Sequence, residues 1–334
     1  MENHTAPILV EVSRGPEVES RHRGIIAVAD GQGKLRASLG DPDTLVCLRS
    51  LAKPFQALPL ITTGAAAAFG FGSEELALCS GSLSGQDFQV ERVKQVLTRI
   101  GLSPEALQCG AHAPLHRPTA QALAEAREKP GPLHHTCAGK HAAMLALCVH
   151  HGWPVDNYLD FDHPVQKLIL KTVGEMVGLS PEAIPVALDG CSAPVFYVPL
   201  WRIAWGFARL AEAAPDTSEG QLLAACLAHP RLIAGDGRLE TVLMEQLPGV
   251  FAKTGAEGGF ALALQEAGLG VALKIEDGAS RALGPAVIQV LEQLGPLPPE
   301  AREALEPHWR PVLYNHRRQE VGRLKPVFTL TLTV

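Results

Sequence analysis

Ser50 and Lys53 stand three residues apart in the run Arg49-Ser50-Leu51-Ala52-Lys53-Pro54-Phe55-Gln56-Ala57-Leu58. On a helix, residues at that spacing share a face. A serine at neutral pH is a weak nucleophile until a neighbour takes its proton, and a lysine can do so once burial or nearby cations lower its pKa. Ser-x-x-Lys therefore supplies a nucleophile and a base. The pattern is common by chance, and its bland reading is a capped helix with a solvated lysine. The surroundings argue for chemistry: the strand-like Leu45-Val46-Cys47-Leu48 precedes Ser50 and an apolar helix face follows it, so the serine falls at a strand-to-helix junction, where side chains are presented outward. The helix is expected to run through Leu58, Leu60 and Ile61 and to stop at Gly64, with Pro54 tolerated in its first turn.

Lys253-Thr254-Gly255 follows a strand-like Gly249 to Ala252. A Lys-Thr-Gly on an edge strand beside a Ser-x-x-Lys helix is the pairing of class A β-lactamases and penicillin-binding proteins. Between the two lies Cys79-Ser80-Gly81-Ser82-Leu83-Ser84-Gly85-Gln86-Asp87, a loop that could bring a second serine to the first or simply lead into a helix. A third group is His134-His135-Thr136-Cys137-Ala138-Gly139-Lys140-His141 with Asp189-Gly190-Cys191 further on. Thiolates and imidazoles suit zinc, and spacing alone would choose His135 or His141 to accompany the cysteines, or no metal at all, since no Cys-x-x-Cys is present.

The chain has 334 residues, 46% hydrophobic and 19% charged, with a formal net charge of −6. That is globular composition, large enough for a two-lobed unit. The negative balance and the lack of a basic run argue against nucleic acid and anionic membranes, leaving a small molecule as partner. No apolar stretch reaches the roughly 18 residues of a transmembrane helix, and the opening Met1-Glu2-Asn3-His4-Thr5-Ala6-Pro7 is polar, unlike a signal peptide. Seven cysteines without framework spacing fit reduced thiols. The expected location is cytoplasmic.

Strand patterns occupy Ile8 to Val12, Gly24 to Ala29 and Lys34 to Ser38; helical periodicity dominates from Ser50 to about Leu247; strands return at Gly249 to Lys253, Gly259 to Leu264 and Gly270 to Ile275. A helix at Pro285 to Leu294 and a strand at Pro326 to Val334 close the chain. Pro296 to Pro299 and Glu128 to Pro132 read as loops. The expected architecture is α+β, serine β-lactamase-like: one antiparallel sheet lobe from residues 1–49 and 248–334, a helical lobe from 50–247 inserted between, and Ser50 at the floor of a cleft.

Taken together, Arg49 to Leu58, Cys137-Ala138-Gly139-Lys140-His141, Asp162-His163-Pro164-Val165-Gln166, Asp189-Gly190-Cys191, Gly235-Asp236-Gly237-Arg238 and Lys274-Ile275-Glu276-Asp277-Gly278 resemble, in order and over nearly the whole chain, the asparaginase II family of rhizobial-type L-asparaginases. The resemblance implies a fold akin to serine β-lactamases and glutaminases, hydrolysis of L-asparagine to L-aspartate and ammonia, and a homodimer. It implies Ser50, Lys53, Ser82 and Lys253 as catalytic residues; on that footing Arg49 and Asp189 are expected to read the substrate's α-carboxylate and α-amino groups. It also implies one zinc per chain held by Cys137, Lys140 and Cys191, so that Lys140 takes the place spacing gave to a histidine. One segment departs from the family: where Ala-Ser-His-Ser-Gly-Glu is usual, this chain has Gly81-Ser82-Leu83-Ser84-Gly85-Gln86. The alternatives are a glutaminase or β-lactamase-like hydrolase, and an inactive zinc-binding homologue.

Overall fold

A computed structural model describes residues 5–332; the polar opening Met1 to His4 and the last two residues of the expected final strand lie outside them. Among the described residues, twelve strands run as β1 (Ile8–Arg14), β2 (Glu17–Asp30), β3 (Leu35–Leu39), β4 (Leu45–Cys47), β5 (Val186–Leu188), β6 (Pro194–Pro199), β7 (Val250–Gly255), β8 (Gly259–Leu264), β9 (Leu269–Ile275), β10 (Val312–Tyr314), β11 (Glu320–Pro326) and β12 (Thr331–Leu332). The chain divides into two compact units, one of residues 1–46, 198–211 and 242–334, the other of residues 47–197 and 212–241.

The first unit is built on a nine-stranded sheet in the order β10-β11-β1-β2-β9-β8-β7, with β3 on β2 and β12 on β3. Its paired strands are antiparallel. Residues from the beginning and the end of the chain thus share one sheet, as the pattern of strands predicts. Gly24 to Asp30 of β2 and all of β8 are buried, so both sheet faces are covered there. The helices Leu200–Ala211 and Leu283–Leu294 both rest on β8. The first of these departs from the expected boundaries, which placed it in the helical lobe. Its apolar face is matched to β9 by Gly270, where a Cβ would stand 1.9 Å from the Ala204 carbonyl oxygen. Only a side-chain-free position lets the helix backbone come so close.

The second unit is helical around Ala138–His151, whose residues from Ala138 to Cys148 are all buried. Helices Ser73–Ser80, Asp87–Arg99 and Pro164–Val177 surround it. Gly139 allows the closest approach, since a Cβ there would meet the Leu78 carbonyl oxygen at 2.3 Å. Gly152, left-handed at φ 69°, ends the helix. The unit also holds the antiparallel hairpin of β5 and β6, which the helical reading of this stretch did not anticipate.

Candidate active site

The chain leaves β4, enters a 3-10 turn at Arg49–Ala52 and continues as a helix at Lys53–Ala57, so Ser50 does sit at a strand-to-helix junction. The expected single helix to Gly64 is instead a series of short turns, restarted at Pro59 and halted by Gly64 at φ 81°. Arg49 takes φ 45°, a left-handed conformation rare for a residue with a side chain and most often kept where a site needs it. Its guanidinium Nε donates to Asp189 Oδ1 at 2.7 Å.

Lys53 is 1% exposed. Its Nζ donates to Ser82 Oγ at 3.1 Å and to the Thr136 carbonyl at 2.9 Å. The Lys53 amine therefore bonds the second serine, 29 residues away; among the described residues no hydrogen bond joins it to Ser50. Burial is the main force on this amine and pushes its pKa down; the Lys140 charge adds to that, against opposing pulls from Cys137 and Cys191. A lysine so placed is more easily neutral and so better able to accept a proton.

Ser82 follows the Ser73–Ser80 helix on an extended segment whose ties are mostly to backbone. The Ser82 N–H donates to the Ile233 carbonyl at 2.7 Å, and the Leu83 N–H donates to the Thr136 carbonyl at 3.1 Å. That carbonyl thus receives both Leu83 and Lys53. His112 Nε2 accepts the Thr136 N–H at 3.0 Å and steadies the same peptide. A backbone carbonyl carries no residue type, so no motif announces Thr136 as a partner of the lysine.

The thiols come from two directions. Cys137 caps the N-terminus of Ala138–His151, with Lys140 in the first turn. Asp189 and Cys191 lie in the β5–β6 turn, where the Asp189 N–H donates to the Ala193 carbonyl and Ser192 takes φ 66°. Cys137, Asp189 and Cys191 bring ligand atoms within 4.8 Å of one another. Lys140 Nζ donates to Cys191 Sγ at 3.1 Å and lies 3.8 Å from Asp189 Oδ2. A hydrogen bond from Cys191, together with the Lys53 and Lys140 charges, outweighs burial and holds the Cys137 thiol well below its ordinary pKa. Cys191 is pushed up in return, first by that bond and then by burial. Lys140 is held above the ordinary lysine range because Cys137, Cys191 and Asp189 overcome the effect of its burial.

The donor set fits zinc, which favours thiolates and accepts a carboxylate. His135 and His141, the choices spacing would make, are not in the cluster. His135 Nδ1 accepts the Cys137 N–H at 2.9 Å, and His141 Nδ1 pairs with the Tyr158 hydroxyl at 2.7 Å. Lys253 lies on β7, an edge strand of the sheet, as the Lys-Thr-Gly reading expects. It is fully buried, and its Nζ donates to the Thr254 carbonyl at 3.1 Å.

Ser82, Lys53, Cys137, Cys191, Lys140, Asp189 and Arg49 thus form one polar chain inside the second unit, a buried amine bonded to a hydroxyl and flanked by a thiol pair able to hold a metal. That combination suits an enzyme that moves protons at a polar bond. The chain belongs to the L-asparaginase II family, whose sequence model matches residues 10–326. A search of curated proteins finds no match. Among solved structures the chain is similar to a β-lactamase from Mycobacterium bovis, at 14% identity and TM-score 0.40, over 78% of this chain and 89% of that one. It is also similar to Mglu in its native form in 4.3 M NaCl, at 14% identity and TM-score 0.37, over 81% of this chain and 60% of that one. An octameric penicillin-binding protein homologue from Pyrococcus abyssi follows at 15% identity and TM-score 0.32, over 81% and 73% of the two chains. Likenesses this distant say nothing of activity.

Proposed function

We propose that this protein is an L-asparaginase that hydrolyses the side-chain amide of L-asparagine, using Lys53 as base for a serine nucleophile. The observation that carries the reading is the desolvated Lys53 amine hydrogen-bonded to Ser82 Oγ. Ser50, one turn before Lys53, attacks the amide carbonyl as its proton passes to the amine. The C–O bond forms, the C–N bond breaks, and the departing nitrogen needs a proton to leave as ammonia. Ser82, already on the lysine, hands that proton on. Water then attacks the acyl ester, Lys53 again taking the proton, and aspartate and free Ser50 result. Catalytic hydrogen bonds are often long before substrate arrives, so the lack of a Ser50–Lys53 hydrogen bond among the described residues is compatible with this order.

Arg49 and Asp189 offer a cation for the substrate α-carboxylate and an anion for its α-amino group. Cys137 and Cys191, with Lys140 once deprotonated, would hold a zinc ion beside Asp189, and the ion would supply fixed positive charge for orienting substrate. The family supports a small-molecule substrate, and no helix among the described residues is long and apolar enough to cross a membrane. The working form in this reading is a homodimer in the cytoplasm.

The Lys53–Ser82 bond also favours a second reading, in which Ser82 is the nucleophile and Ser50 the relay. Trapping the acyl-enzyme by acid quench and mapping the modified peptide separates them. An adduct on Ser50 is expected; an adduct on Ser82 exchanges the roles. Ammonia release from asparagine, set against glutamine and a β-lactam, tests the substrate. Full turnover by Ser50→Ala and Ser82→Ala alike would remove both serines and the reading with them.

A further inference from the structure

The segment that carries Ser82 has little secondary structure of its own, so its position depends on what grips it. The stretch Arg231 to Asp236 does so. Ser82 N–H bonds the Ile233 carbonyl, and Ser84 Oγ donates to the Ala234 carbonyl at 2.6 Å. Gln89 Oε1 receives the Ser84 N–H at 2.8 Å, while its amide donates to the Arg231 carbonyl at 3.0 Å. The last tie is reciprocal. Gln86 Nε2 donates to Asp236 Oδ2 at 2.9 Å, and the Asp236 N–H donates to Gln86 Oε1 at 2.8 Å. Arg231 bonds both oxygens of the same carboxylate, Nε donating to Oδ1 and Nη2 to Oδ2.

Two features show that this clasp is built for an amide at position 86. Gly235 sits at φ 105°, where a Cβ would lie 2.5 Å from Gln86 Oε1 and 2.9 Å from Ser84 Cβ, so nothing but glycine leaves room for the closed arrangement. The Gln86 side chain is 6% exposed and must offer both a donor and an acceptor, which a neutral amide does and a carboxylate cannot. The Asp236 carboxylate is already kept below its ordinary pKa by Arg231 first and Gln86 after, against burial, so it is the anion and position 86 must be the donor.

We propose that Gln86 is a positioning residue that, through Asp236, sets the Ser82 hydroxyl against the Lys53 amine. The inference rests on the role given above to Ser82. It predicts that Gln86 acts on the chemical step, because Ser82 moves a proton and does not hold the substrate. A carboxylate at position 86 faces the Asp236 carboxylate and opens the clasp. Displacement of a reacting group by about 1 Å costs on the order of a hundredfold in rate.

The test is a cycle of Gln86→Glu, Asp236→Asn and the double variant, measured in the zinc-loaded, full-length protein beside Ser82→Ala. Gln86→Glu is expected to lower kcat roughly thirtyfold to a hundredfold with KM little changed. Asp236→Asn, which keeps an acceptor oxygen for Gln86, should lose only severalfold. The double variant should recover to the Asp236→Asn level, because an amide at position 236 can donate to the carboxylate introduced at position 86 while its carbonyl oxygen accepts from Arg231 Nε, each of the two variants giving up one Arg231 bond. Amide hydrogen exchange over residues 79–90 reads the clasp without turnover: it should quicken in Gln86→Glu and return in the double variant. Gln86→Met removes both bonds with similar volume and should lower kcat with no rescue by Asp236→Asn, which keeps the test decisive if Gln86→Glu folds poorly. Wild-type kcat in Gln86→Glu or Gln86→Met, or a double variant no better than Gln86→Glu alone, overturns the proposal while the Ser82 reading stands. Normal turnover in Ser82→Ala overturns both.

Discussion

Replacing Lys53 with methionine should separate the demands of chemistry from those of stability. The amine is taken almost wholly from water, and an ammonium so buried costs several kcal/mol after relaxation. Against this stand two hydrogen bonds, to Ser82 Oγ and the Thr136 carbonyl, each worth about 1.5–3 kcal/mol when one partner is charged. The lowered pKa decides the balance: the folded protein holds the charged amine less well than water does, so desolvation wins over the Cys137 and Cys191 attraction. Methionine fills a similar volume and brings no charge. The Thr136 carbonyl keeps its bond from Leu83, so that acceptor is not orphaned, and the Ser82 hydroxyl can turn to donate in place of accepting.

Lys53→Met should therefore be as stable as wild type or more stable by up to about 2 kcal/mol. It should also lose about a thousandfold in turnover, on the order of 4 kcal/mol of barrier, as expected when a general base is removed. Urea unfolding by circular dichroism gives the first quantity and ammonia release the second; both are run with and without a chelator, since Lys53 borders Cys137. A variant destabilised by more than about 2 kcal/mol would show that the amine anchors the fold. One within tenfold of wild-type turnover would take Lys53 out of the chemistry.

Gly270→Ala forces a Cβ to 1.9 Å from the Ala204 carbonyl oxygen and 2.3 Å from the Ala208 nitrogen, and should cost at least about 3 kcal/mol in urea unfolding. Gly64→Ala, left-handed but with open space around it, should cost only about 1–2 kcal/mol, and equal losses would deny the close packing. Asp30, 7% exposed in its side chain, accepts from Lys34 N at 2.9 Å and from Arg36 Nε at 2.7 Å. Burial pushes its pKa up, yet these donors outweigh it and the net shift is downward. A depressed carboxylate contributes stability above its unfolded pKa and loses it as pH falls through the folded value. Asp30→Asn should thus cost about 2 kcal/mol at pH 7, a gap that narrows below about pH 4; a gap unchanged at about pH 3 would contradict the assignment. Cys137→Ser and Cys191→Ser should each abolish zinc uptake, read by metal analysis, and wild-type affinity should strengthen with rising pH because the ligands must shed protons. Chelation should raise KM more than it lowers kcat, since a group that orients substrate binds ground and transition states alike; loss of kcat alone would make the metal part of the attack.

Elements whose own residues declare a period were legible before any coordinates. The buried run of β2, the β7–β9 strands and the helix from Ala138 all stand where composition and spacing put them. What escaped depends on contacts remote in sequence. The Leu200–Ala211 helix has an obvious apolar face, but its assignment to the sheet unit is made by Gly270, dozens of residues later. The Pro299–Trp309 helix hides behind Pro298 and contains Pro307, both helix-breaking signals. β11 runs Glu-Val-Gly-Arg-Leu-Lys-Pro, too polar to read as a strand without β1 beside it. In the site, three-residue spacing brought Ser50 and Lys53 to notice, whereas tertiary structure gave the lysine to Ser82. The same limit applies to the candidate metal donors, because the β5–β6 turn that brings Asp189 and Cys191 to Cys137 leaves no spacing rule behind.

The two lysines of this centre show how one environment can prepare opposite roles. Lys53 and Lys140 are both buried, so desolvation alone would lower both. Around Lys140 the anions win: Cys137, Cys191 and Asp189 keep it charged. Around Lys53 they do not, and the Lys140 charge is itself among the influences that make protonation of Lys53 harder. The cation held by the thiol cluster thus disfavours the charged form of its neighbour, the separation of paired titratable groups that would let Lys53 serve as the proposed base. The proposed zinc would fit the same logic. In the zinc-bound form proposed above, Lys140 would join the ligands only by giving up the proton that the cluster now holds on it, and the ion would supply the positive charge in its place. On that reading a positive charge would oppose protonation of Lys53 in either condition, beside the larger effect of burial.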